Sequence, residues 1–176
     1  MGRFFSLVQI KNNGSREQFL KAFCDVMKKR SLVPCSEKES SVSYILAFSE
    51  SGKWVTLASK EYRDNPKQGK DDAKQTAAEM KTSSFSMDVV DSDWTYIELH
   101  TGADVHDTVM VGRSEFDEEH SPKGRRECWE PILAPGKTWE QISEIWNKNE
   151  VFVEDALYEA ASVLGIEPKY MVSDYE

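Results

Sequence analysis

From Ser43 to Ser59 the chain reads SYILAFSESGKWVTLAS: two short apolar–polar alternating runs on either side of Ser49-Glu50-Ser51-Gly52. Period-two alternation broken by small and acidic residues predicts two strands and a tight turn, with Gly52 available for positive φ. Phe85 to His100, FSMDVVDSDWTYIELH, repeats the pattern, turning at Asp91-Ser92-Asp93 and restarting, as the first does, on a Trp (Trp54, Trp94). A helical segment precedes each hairpin. Ser15 and Gln18 have capping-box spacing, and Phe19, Leu20, Phe23, Val26 and Met27 fall at helical intervals before Lys28-Lys29-Arg30 closes the helix. The second helix is read over Asp71 to Met80, with Ala73, Ala77 and Met80 inward, after a loop over Tyr62 to Gly69. Arg3 to Lys11 is apolar on both faces, which predicts an interior strand, and Val105 to Val111 supplies one more.

Further along, Arg113 to Gly136 is irregular and charged, with Trp129, Ile132 and Leu133 suited to packing down. Thr138 and Gln141 open another capping box. A last helix begins near Glu150 and stops at Gly165 and Pro168, and the tail from Lys169 is read as loose. The expected fold is α+β: a mainly antiparallel sheet of about six strands with helices on one face. It would be built from two helix–strand–strand units plus a C-terminal helix pair. As organisation this gives residues 1–112 as a duplicated sheet core, 113–136 as a long charged loop and 137–168 as a helical pair on the same core, one domain overall. In topology the repeated unit resembles the strand–helix–strand–strand module duplicated in small-molecule-sensing and gyrase-inhibitor-like proteins. The resemblance covers the first two thirds of the chain, lacks a leading strand in the second copy and transfers no residues.

Composition narrows the function classes. The 176 residues carry a formal charge of −9, which argues against phosphate-dominated nucleic-acid binding and suits a basic protein partner. No apolar run approaches the ~20 residues of a membrane span, and no signal-peptide pattern opens the chain. Cys24, Cys35 and Cys128, an odd set without CxxC spacing, point to a reducing compartment, the cytoplasm.

Candidate chemistry is sparse. Trp94, Tyr96, Glu98 and His100 share one strand face, and with Trp54 nearby they would make a ligand-pocket lining of aromatic walls and a few polar groups. Glu115, Asp117, Glu118 and Glu119 form an acidic knot suited to a basic partner. His100, Asp104 and His106 are the weak metal candidates, with Glu115, Asp117 and His120 as further donors, but they lack the fixed spacing of a helical HExxH site and no metal is favoured. No nucleophile elbow, phosphate loop or dinucleotide fingerprint occurs. The reading therefore leans away from an enzyme and expects no cofactor. The first expectation is a non-catalytic cytosolic protein-binding module, an acidic inhibitor or immunity-type factor. The alternative is a small-molecule binder or sensor with its pocket on the aromatic sheet face, and the third is a metal-dependent hydrolase.

Overall fold

The computed structural model describes residues 5–36, 39–102, 104–112, 123–148 and 152–172. Strand β1 (Phe5–Lys11) leads into helix α1 (Arg16–Lys29), then the hairpin β2 (Ile45–Phe48) and β3 (Trp54–Ala58). Helices α2 (Lys60–Asp64) and α3 (Pro66–Glu79) precede a meander of β4 (Ser83–Val90), β5 (Trp94–Thr101) and β6 (Asp104–Gly112). The chain ends in α4 (Arg126–Trp129), a 3-10 turn (Glu130–Ile132), α5 (Trp139–Trp146), α6 (Val153–Leu164) and the short α7 (Lys169–Val172). The strands form one sheet in the order β2-β3-β1-β4-β5-β6, with every neighbouring pair antiparallel. The fold is thus α+β on a six-stranded antiparallel sheet with a C-terminal helix pair. None of the described helices is long and apolar enough to cross a membrane.

The helices cover both faces of the sheet, where the expectation placed them on one. The physical reason lies in the strands. Val8 and Ile10 of β1, with Val55 and Leu57 of β3, are buried with Phe19, Phe23 and Val26 of α1 and Ala73 and Ala77 of α3. On the opposite face Phe5, Leu7, Trp54, Phe85, Met87, Ile97 and Leu99 are buried with Ile142, Leu157 and Ala160 of the C-terminal helices. Strands apolar on both faces need a layer on each, and β1 is interior as its sequence predicts. The two hairpins meet β1 differently: the first borders it with its returning strand β3, the second with its leading strand β4.

Local chemistry fixes the ends of these elements. Ser15 Oγ accepts from Gln18 N at 3.2 Å and Gln18 Oε1 accepts from Ser15 N at 2.7 Å, completing the capping box. In the β4–β5 turn Asp91 and Ser92 both have positive φ, 50° and 60°, which is the type I′ geometry that matches strand twist. Gly112 pairs with Trp94 close to that turn. A Cβ on it would lie 2.2 Å from the Asp93 carbonyl oxygen, so only glycine fits.

Two segments read as loops are ordered. Residues 62–69 are helical in α2 and α3, except at the Asn65 hinge. Pro66 starts α3, where its missing N–H costs no hydrogen bond. Gly69 lies inside α3 because a Cβ there would meet Tyr62 Cγ at 2.9 Å. In the tail, α7 packs down: Met171 is buried, and Gln9 Nε2 donates to the Tyr170 carbonyl at 2.7 Å. The described part of the charged loop packs as well. Trp129 is fully buried, its Nε1 donates to Asp107 Oδ2 at 2.9 Å, and its ring meets Trp146 edge-on at 4.4 Å.

Candidate functional site

The aromatic set divides between the two faces of the sheet. Trp94, Tyr96, Glu98 and His100 do lie on one face of β5, opposite Val90, Asp88, Ser86 and Ser84 of β4. Trp54 is on the other face, in the core beneath α6, where its Nε1 donates to the Leu164 carbonyl at 2.7 Å and its ring packs edge-on against Phe85. Trp94 and Tyr96 are half-buried. His100 is fully buried, while Asp104 and His106 are exposed, so the three metal candidates do not converge. Among the described residues no group of three His, Cys, Asp or Glu side chains is placed to hold a metal ion. Glu115, Asp117, Glu118, Glu119 and His120 lie outside the described residues.

Beneath α3 the β4–β5 face is polar rather than apolar. Lys70 of α3 reaches Asp88 Oδ2 at 2.7 Å and Glu98 Oε2 at 3.0 Å, and Ser6 Oγ donates to Asp88 Oδ1 at 2.7 Å. Burial works against the Lys70 charge, but the two carboxylates outweigh it and raise its pKa. Further along the same ladder, Ser84 Oγ, Ser86 Oγ and both ring nitrogens of His100 are buried without a hydrogen-bond partner among the described residues. His100 Nε2 stands 3.9 Å from Glu98 Oε2. Burial, then the charge of Lys74, pushes the His100 pKa down to about 4, so the ring is neutral at pH 7. An orphaned buried polar atom costs about 1–3 kcal/mol, and four together rival the ~5–15 kcal/mol by which a domain is stable.

A cleft of about 410 Å³ opens on the other side of the sheet centre, between α1 and the start of β2. Phe23, Cys24 and Met27 of α1 form one wall, Tyr44 and Leu46 another, and Leu32 to Cys35 with Ser40 to Ser43 the rim. Its volume falls in the ~300–1,000 Å³ range of small-molecule sites, and its lining has their composition of apolar walls and a few hydroxyls. Phe23 and Tyr44 meet edge-on at 5.6 Å. Sequence reading missed this site because its walls come from a helix and from the first hairpin, whose apolar positions at regular spacing read as core.

Buried charge holds the Tyr44 wall in place. Arg30, at the C-terminus of α1, donates from Nη1 to Tyr44 Oη at 2.9 Å and to Asp72 Oδ2 at 2.6 Å, and from Nη2 to Glu61. Tyr44 donates to Glu61 Oε2 at 2.6 Å, and Asp72 also accepts from Tyr62 Oη and Gln68 Nε2, both at 2.9 Å. One network therefore ties α1, α2, α3 and the approach to β2 together. Burial raises the Asp72 pKa against the pull of Tyr62 and Arg30. At Glu61 burial is outweighed by hydrogen bonds from Tyr44 and Arg30, and the pKa falls. The Tyr44 pKa is raised by burial and by its bond to Glu61, so its hydroxyl stays a donor.

No family model matches the chain, and no curated protein or solved structure shows significant similarity to it.

Proposed function

We propose that this is a non-catalytic binding protein and that the cleft between α1 and β2 receives a small, largely apolar molecule. The cleft itself carries the reading: a concave, mostly apolar space of about 410 Å³. Fixed walls support it, because a wall that need not be ordered on binding leaves more of the contact energy as affinity. The rim serines offer a few polar contacts that would orient a ligand. Nile red, an uncharged apolar dye, is the probe. Titration should give saturable, blue-shifted fluorescence at one equivalent and raise the melting temperature. Only a linear, unsaturable signal, or none, would count against the cleft as a ligand site.

The charge of −9 and the acidic run Glu115, Asp117, Glu118 and Glu119 favour a second reading, a protein-binding module for a basic partner. Changing these four to Gln and Asn together should abolish co-purification of a basic polypeptide from the native host at moderate salt. Unchanged co-purification would remove the acidic run from this reading.

A further inference from the structure

We propose that the seam between α3 and strands β4 and β5 is a second binding site, independent of the cleft. It holds a small uncharged molecule that both donates and accepts hydrogen bonds, water or one not much larger. Ser84 and His100 are directly opposed across the β4–β5 ladder, and Ser86 follows on the same face of β4. Opposed residues have Cβ atoms about 5 Å apart and diagonal neighbours roughly 7 Å, so both hydroxyls and the imidazole lie within reach of one small molecule. All three residues are at least 98% buried: their exposures are 0%, 2% and 0%. None of their side-chain polar atoms has a hydrogen-bond partner among the described residues, whereas buried polar groups in folded proteins are almost always paired.

The chemistry of these atoms selects the class of ligand. A neutral imidazole offers one N–H and one bare nitrogen, and each hydroxyl can donate or accept. An occupant must therefore do both. Charge is settled around the site without it. Lys70 is bonded to Asp88 and Glu98. Of the groups that act electrostatically on His100, Lys70 and Lys74 oppose Glu98 and Asp71. Two lysines face three carboxylates, and two of those, Asp88 and Glu98, are already bonded to Lys70, so what the site itself presents to an occupant is a neutral imidazole and two hydroxyls. A buried water, which typically makes about three hydrogen bonds, meets these requirements at minimum size.

The test is nuclear magnetic resonance of the full chain labelled with ¹⁵N at histidine, where the three histidines are His100, His106 and His120. The His100 ring N–H should persist in slow exchange and show cross-relaxation to a long-lived water. Cross-peaks to a molecule that is neither protein nor water would also support the site, and would identify the larger occupant. The paired substitution Ser84→Ala and Ser86→Ala should abolish the signal while the far-ultraviolet spectrum is retained. Cross-relaxation from the His100 ring N–H to protein protons alone, with none to water or to another molecule, would overturn the proposal. So would an occupant signal that survives in the folded double variant. If that variant does not fold, the wild-type spectrum decides.

Discussion

Arg30→Met should lower the unfolding free energy by about 3–5 kcal/mol, measured by urea denaturation at pH 7. The arginine supplies the positive charge facing two carboxylates, and one of them, Asp72, is fully buried. Methionine fills much of the same volume but leaves Asp72 with burial and without its cation, so the carboxyl takes up a proton or the site admits water. The guanidinium also bridges three acceptors on three segments of the chain, a geometry that a lysine ammonium does not reproduce. Arg30→Lys should accordingly recover only part of the loss. Adding Asp72→Asn to Arg30→Met should recover stability, because it removes the orphaned charge while keeping an acceptor for Tyr62. A loss below about 1 kcal/mol for Arg30→Met would mean that the network is no stronger than an exposed ion pair.

Acidification from pH 6.5 to pH 4 should remove on the order of 3 kcal/mol through His100 alone. Its folded pKa is pushed down to about 4 by burial and by Lys74, against about 6.5 for an unperturbed histidine. Between these values the unfolded chain binds a proton that the folded chain refuses. The contribution is fully present above pH 6.5 and is lost as the pH falls toward 4. Glu98 and Asp71 would favour the imidazolium, but Lys74 and Lys70 oppose them, and Lys70 is already bonded to Glu98. His100→Gln removes the titration while keeping a donor and an acceptor. Urea denaturation across this range should show a shallower pH dependence for the variant than for the parent. Parallel curves would place the acid sensitivity elsewhere.

Much of the fold was legible because hydrophobic period and turn chemistry agreed. The hairpins around Ser49–Gly52 and Asp91–Ser92, the cap at Ser15 and the interior character of β1 all follow from adjacent residues. The second helical layer was implied by Val8 and Ile10 lying back to back with Phe5 and Leu7 on one strand. Local punctuation misled between Tyr62 and Gly69. Asn-Pro and Gly read as breakers, whereas Pro66 starts a helix and Gly69 admits the Tyr62 ring. Asp72 carried a usable signal. It lies at helical spacing with Gly69, Ala73 and Thr76, all buried, and a carboxylate in such a stripe calls for a buried cation. Which cation could not be read, since Arg30 is on another helix. Trp54 and Trp94 begin matching strands, yet the sheet puts them on opposite faces, because the two hairpins border β1 through different strands.

The most direct test of the binding reading is a Nile red titration of Cys24→Trp beside the parent protein. Cys24 is half-buried in the wall of the cleft, outside the Arg30 network, and an indole there would occupy the space a ligand needs. With the melting temperature held within a few degrees of the parent, the dye affinity should fall at least about tenfold, or ~1.4 kcal/mol. Equal affinity in the two folded proteins would mean that the dye binds elsewhere, and the cleft would lose its place as the functional site.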